Sequence, residues 1–275
     1  MALFNEDEAR YFFSNSNTSI ANESFKAWGN SLPQRTVLQE TQPQFDILRE
    51  QSRREVERLL ILGANQYRRS YDLLNSISAP WAFVTLYYGS YFVASALLGT
   101  LGAWMFKNKI IQVTATSPGS QQFEVSQWRS SYKGSHQKFW DFYFENARLL
   151  YPNATTTEER FSLTPISSDP MWLISNRNDF NYDTFSAITL SEQHSLYFSP
   201  QNGLSSLPGE LYTQFHFVES LLVLTNRIVR SAGISSDAVS TLCNATTRSA
   251  RVRELVIRKR PPSMARIVRK NLICG

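Results

Sequence analysis

Residues 73–106 read LLNSISAPWAFVTLYYGSYFVASALLGTLGAWMF and contain no Asp, Glu, Lys, Arg or His. A run this long and charge-free has two physical readings. It spans a bilayer, for which ~20 apolar residues suffice, or it is the central helix of a bundle, apolar all round because neighbours cover every face. Thr85, Ser90, Ser95 and Thr100 interrupt the run, and no second stretch of the kind follows to pack with it. Gly89, Ser95, Gly99 and Gly102 permit close approach of another helix in either solvent. The adopted reading is a buried core helix from Pro80 to about Phe106. A membrane-acting effector working through 80–106 remains the competing one.

Upstream, Phe45, Leu48, Val56, Leu59, Leu60, Ala64, Tyr67, Tyr71 and Leu74 recur at steps of three and four. That spacing predicts an amphipathic helix over 44–76, with Arg53, Arg54, Glu57, Arg58 and Arg68 on its wet side. Ser78-Ala79-Pro80 ends it, because proline restricts its predecessor and suits the first turn of a new helix. Residues 1–42, rich in Asn, Ser and Thr with Phe12, Phe13, Phe25 and Trp28, form an irregular arm with one short helix. Pro33 and Pro43 bracket a short extended piece.

Downstream, β-branched residues flank the turn Ser117-Pro118-Gly119 and predict a β-hairpin near 109–125, inserted between helices. Ser135 can cap a helix to Leu150 with Phe139, Trp140, Phe142, Tyr143 and Ala147 inward. Residues 151–168 read as loop. Asp169-Pro170 signals the start of a helix carrying MWLISNRNDFNYDTF, followed by loop through Gly203. Ser206-Leu207-Pro208 opens another, with core positions Leu211, Phe215, Val218, Leu221, Leu222, Ile228 and Val229 and Gly233 as terminator. Asp237 caps a last helix that includes Val239 and Leu242. The domain reading is an arm over 1–42, a helical domain over 43–235, and a C-terminal helix with basic tail over 236–275.

Eighteen Phe, 12 Tyr and 6 Trp in 275 residues mean that large rings anchor the core. Cys243 and Cys274 stand in no ligand-like spacing, which argues against a disulfide framework or zinc site and for a reducing compartment. The N-terminus, MALFNEDEAR, is acidic where a secretory signal is basic and then apolar. The expected location is cytoplasmic, and the N-x-[ST] matches at Asn17, Asn22, Asn153 and Asn244 are chance. Of the net charge of +5, all lies at the end: nine basic residues and one acid, Glu254, fall between Thr247 and Gly275. Arg251, Arg253, Arg258, Lys259, Arg260, Arg266, Arg269 and Lys270 are candidates for a phosphate-binding arm on RNA or DNA. The same charge also suits an anionic membrane, an acidic protein or plain solvation. No aromatic residue lies among them, so contact there is by charge rather than base stacking.

Arg177-Asn178-Asp179-Phe180-Asn181-Tyr182 is the most suggestive polar cluster. On a helix Arg177 and Asn181 share one face, and Asn178 and Tyr182 the next. An arginine beside amide and phenol groups can hold a phosphate through charged hydrogen bonds. It can equally be a polar knot tying the helix to the bundle through Tyr87 or Tyr88.

The order of elements, with W-A-x(4)-Y-Y-x(2)-Y-F-x-A-x-A-L-L from Trp81 to Leu98 and a later helix bearing Arg177-Asn178, resembles the HEPN superfamily over roughly residues 44–232. The fold class implied is mainly α: a HEPN-like up-and-down helical bundle with a small inserted β-hairpin. The resemblance also implies a homodimer whose motif helices meet at the two-fold axis. Intact members are metal-independent RNases of toxin–antitoxin and anti-phage systems, so RNA is the implied partner. No cofactor or metal is implied.

Arg177-Asn178 stands where the family carries R-x(4–6)-H, but four intervening residues reach Tyr182, five Asp183 and six Thr184. Attack by a 2′-hydroxyl needs a proton acceptor near neutral pH, and a phenol with pKa ~10 serves poorly. Arg177 can stabilise the transferring phosphate, Asn178 orient it, and Tyr182 or a recruited histidine assist. His194 could return on a loop, and His136 begins the aromatic helix, where the helix terminus lowers its pKa. His216, three residues before Glu219, reads as a surface pair. A catalytically inactive scaffold recruiting a protein partner, encoded in the same operon, is the alternative.

Overall fold

The computed structural model describes residues 3–14, 29, 33–75, 79–106, 109–117, 121–129, 131–150, 154–163, 171–197, 209–234, 239 and 241–243. Its helices are α1 (Glu6–Ser14), α2 (Pro43–Asn75), α3 (Ala79–Thr100), α4 (Ser135–Leu150), α5 (Thr157–Leu163), α6 (Trp172–Tyr182), α7 (Thr184–Tyr197) and α8 (Gly209–Ser231). Val239 and residues 241–243 are helical as well. The strands are β1 (Arg35–Gln39), β2 (Ala103–Phe106), β3 (Lys109–Ala115) and β4 (Gln122–Trp128). The protein is mainly helical with a small antiparallel sheet.

The charge-free run is a core helix. α3 packs against α2, α6, α7 and α8, and 72% of its most apolar window is buried inside the fold. Phe83, Leu86 and Leu97 are wholly buried, each stabilising the fold by about 2 kcal/mol. The hydroxyls that interrupt the run cause no conflict. Ser90 Oγ donates to the Leu86 carbonyl at 3.0 Å, Ser95 Oγ to Tyr91 at 2.7 Å and Thr100 Oγ1 to Ala96 at 2.8 Å, so each is satisfied one turn back within its own helix. Glycine brings the α2 and α3 backbones together: a Cβ on Gly63 would lie 2.3 Å from Val93 Cγ2.

α3 stops at Thr100 rather than near Phe106. Gly102 adopts φ +85°, and a Cβ there would sit 2.8 Å from the Val113 carbonyl oxygen and 2.9 Å from the Phe4 ring. Only glycine fits both the left-handed backbone and that gap. The chain reverses and Ala103–Phe106 becomes a strand paired to Lys109–Gln112.

The expected hairpin is therefore the middle of a larger sheet. Its strand order is β1-β4-β3-β2. The outer partner β1 comes from the N-terminal arm, with Arg35 opposite Ser126 and Gln39 opposite Gln122, within the extended piece between Pro33 and Pro43. Within the expected arm the extended piece is this strand and the one short helix is α1, where Phe12 and Phe13 join the core. Phe123 of β4 meets Phe4, Phe12 and Phe45 with ring centroids 6.3, 5.8 and 4.7 Å away. Asn5 opens α1 by accepting from the Asp7 and Glu8 amides at 3.0 and 2.9 Å, while Glu8 accepts from the Asn5 amide at 2.9 Å. This is a reciprocal capping box. Phe25 and Trp28 lie outside the described residues.

Part of the segment expected as loop at 151–168 is helix. Thr156 Oγ1 accepts from the Glu159 amide at 3.1 Å, and Glu159 returns a carboxylate oxygen to the Thr155 amide at 2.7 Å. The start signal of α6 at Asp169-Pro170 lies outside the described residues; Met171 precedes the helix and offers no side-chain cap. α8 matches its expected core, and it ends as a Schellman turn. Gly233 at φ +72° lets its amide reach the Arg230 carbonyl and the Ile234 amide reach Val229.

Candidate functional site

α6 lies on α3 because Leu173, Ile174 and Phe180 turn inward at helical spacing; the Phe180 and Phe83 ring centroids are 4.4 Å apart. Arg177, three residues after Ile174, shares that stripe and is half-buried. The helix persists to Tyr182, then Asp183 turns extended at φ −98°, ψ 107°. Asp183 accepts from the Ser186 amide at 3.2 Å and from its hydroxyl, which starts α7. The expected loop after Phe185 is therefore helical as far as Tyr197.

Arg177 Nη2 donates to the Tyr88 hydroxyl at 3.1 Å and Nη1 to Asn178 Oδ1 at 3.2 Å. Its Cζ lies 5.4, 5.6 and 6.0 Å from the ring centres of Tyr87, Tyr88 and Tyr182. Its Nε is buried with no hydrogen-bond partner among the described residues. Among the described residues no carboxylate pairs with it. A guanidinium drawn partly out of water ordinarily acquires a counter-ion. This one has aromatic faces, an amide and a phenol, all of them neutral.

Beside it stands His136, from the start of α4. Its Nδ1 is 2.9 Å from the Tyr87 hydroxyl, which in turn accepts from Trp140 Nε1 at 3.2 Å. Burial first, and the positive charge of Arg177 second, push the His136 pKa below 6.5. The direction is the expected one; burial leads, not the helix terminus. His136 is thus neutral at pH 7. Burial drives the Tyr87 phenol upward, so it stays protonated. A phenol oxygen with one lone pair on Trp140 can still accept from His136 Nδ1–H. In that tautomer Nε2 carries the free lone pair of a base.

Tyr182, offered as a stand-in for the missing histidine, is 72% exposed and lies over Arg177 without a hydrogen bond to it. His194 is not on a loop. It is buried in the last turn of α7, and burial lowers its pKa. His216 pairs with Glu219 at 3.9 Å and packs on the Phe161 ring. The tail arginines and lysines from Arg251 to Lys270 lie outside the described residues. Among the described residues no group of three or more His, Cys, Asp and Glu is arranged to hold a metal.

No family model, curated protein or solved structure matches the chain.

Tyr88, from the quoted tyrosine doublet, and Trp140, which belongs to no motif, complete the cluster. The legible signal was a tyrosine doublet on the core helix and a His-x(3)-Trp step opening α4. That step places the ring nitrogens of both residues on one helix face.

Proposed function

We propose that the chain is a HEPN-like RNA-handling protein whose reacting group is an RNA phosphate held at Arg177. The observation that supports this is a half-buried guanidinium with no carboxylate partner among the described residues, set beside a neutral imidazole. A phosphodiester would supply the missing anion. His136 Nε2 would take the proton of the 2′-hydroxyl as its oxygen attacks phosphorus. The P–O5′ bond then breaks, the 5′-oxygen takes a proton from water, and a 2′,3′-cyclic phosphate remains. Arg177 balances the charge that grows on the phosphoryl oxygens, Asn178 orients it, and Tyr182 covers it from the solvent side. The reading assigns general base work to His136 and makes this a metal-independent endoribonuclease of a cytoplasmic bacterial toxin or anti-phage system. The basic tail would add phosphate contacts.

Large apolar side chains exposed near one cleft support a second copy or another protein as partner. Trp81, 60% exposed, lines that cleft with Val84 and Phe180, and exposed Tyr182 and Ile188 adjoin it in sequence. The same surface is what favours the second reading, an inactive scaffold recruiting a protein partner.

The test is incubation of the purified protein with RNA in EDTA. Cyclic phosphate ends that vanish in Arg177→Ala and His136→Ala are the expected result. RNA left intact at high protein concentration sinks cleavage and leaves the scaffold. Loss of binding and of its salt dependence on truncation before Thr247 would assign the tail to phosphates.

A further inference from the structure

A cleft of about 590 Å³ opens between α2, α3, α4 and β2. Its lining mixes aromatic rings, Tyr91 and Phe92 of α3, Phe139 of α4 and Trp104 of β2, with aliphatic side chains such as Leu59 and Leu98. Its polar edge comes from α2: Gln51 and the pair Glu55–Arg58, joined by two bonds of 2.8 and 2.6 Å. Pockets for small ligands have this size and this mixture of apolar wall and few polar groups.

The lining selects a chemistry. The aromatic part of the lining can take a planar ring, through stacking that tolerates any π-face. The edge offers both donors and acceptors, an amide and a guanidinium–carboxylate pair. Because Glu55 already neutralises Arg58, the edge suits a neutral heterocycle with its own donors and acceptors better than an anion. A nucleobase is such a ring, and single-stranded RNA is read by stacking on aromatic side chains with hydrogen bonds to the exposed edge.

The cleft adjoins the candidate phosphate site. Tyr91 stands between them, its ring centroid 4.5 Å from Phe139 and 4.8 Å from His136. Phe92 lies 6.4 Å from Tyr88, whose hydroxyl receives Arg177. Ser135, next to His136, is also in the lining.

We propose that this cleft is a nucleobase subsite, holding a base of single-stranded RNA while the adjoining phosphate rests on Arg177. The inference deepens the reading of Arg177 and His136 as a phosphate site and rests on it. The two are separable by probe. Free nucleosides carry a base and no phosphate, whereas inorganic phosphate carries no base.

The experiment titrates adenosine, guanosine, cytidine and uridine into the full chain by saturation-transfer NMR, with inorganic phosphate as a parallel series. At least one nucleoside is expected to bind at about 1 mM or tighter. Ser95→Leu, which fills the cleft, should weaken it about tenfold or more. Arg58→Ala, on the solvent side of α2, should weaken it about threefold with no effect on folding. Arg177→Ala should leave nucleoside binding unchanged and abolish phosphate binding. Absence of nucleoside binding at about 10 mM, or binding undiminished in both cleft variants, overturns the subsite. If that happens while phosphate still binds through Arg177, only the subsite falls. If nucleosides bind and phosphate does not, the Arg177 reading falls and the base site stands.

Discussion

Arg177 and Arg227 are both half-buried arginines on helices that pack against the core, and they are held in opposite ways. Arg227 bonds Glu159 through Nε and Glu6 through Nη1, both at 2.9 Å. It ties α1, α5 and α8 together at one point, with Arg10 of α1 adding a bond to the Ser231 carbonyl at 3.0 Å. Arg177 meets a phenol and an amide, and no carboxylate among the described residues. A paired charge serves the fold, since its partner is fixed. An unpaired one in a partly dry setting is a standing affinity for an anion. The two sites teach that the ionic partner, not the burial of the arginine, separates a structural residue from a functional candidate.

The comparison breaks most decisively at Arg227. Arg227→Met strands Glu159, whose side chain is 2% exposed, and should cost about 3–5 kcal/mol. Arg177→Met strands no carboxylate and should stay within about 1 kcal/mol of the parent. Urea unfolding at pH 7 measures both. Equal losses would make Arg177 a knot for the fold after all.

Giving Arg177 the partner it lacks sharpens the contrast. Asn178→Asp places a carboxylate where an amide oxygen already stands 3.2 Å from Nη1. Inorganic phosphate or RNA affinity should fall about tenfold, while stability changes by less than about 1 kcal/mol. Unchanged affinity would mean that anions do not bind there.

Thr156→Ala removes the cap that positions Glu159 for Arg227 and should cost about 1 kcal/mol in the same unfolding assay. Its effect should shrink when Arg227 is already Met, because the residues share one network.

The smallest effect is in pH. Burial alone would raise the Glu159 carboxyl, but bonds from Arg227 and Thr155 outweigh it and hold the group below 4.5. Its stabilisation is complete above pH 4.5 and is lost as pH falls through the lowered value. His136 is also lowered, so the unfolded chain takes up its proton first as pH drops below 6.5. Stability therefore declines from about pH 6.5 downward and again below 4.5. His136→Gln should flatten the upper segment and spare the lower one. In the cleavage assay the acid limb should fall below pH 6.5, because a protonated imidazole cannot accept the 2′-hydroxyl proton.

Much of this was legible and for local reasons. The inward faces of α2, α4 and α8 follow from spacing, since residues three and four apart meet on one side of a helix whatever lies around it. The capping box at Asn5–Glu8 and the Thr156 cap on the Glu159 amide are likewise local, and reading them would have placed α1 and found α5. The turn at Gly102 was not legible as such: in the sequence it is one more glycine in an apolar helix. What ends the helix is Phe4 and Val113 arriving in the space a Cβ would need.

The candidate site divides in the same way. The placing of Arg177 with Asn181 on one helix face, and of Asn178 with Tyr182 on the next, was determined by the sequence itself, because positions four apart on a helix fix their own geometry. Tertiary packing decided that His136 stands beside them, that β1 joins the hairpin, and that no carboxylate among the described residues reaches Arg177. Those outcomes depend on segments far apart in the chain being packed together, which no local pattern encodes.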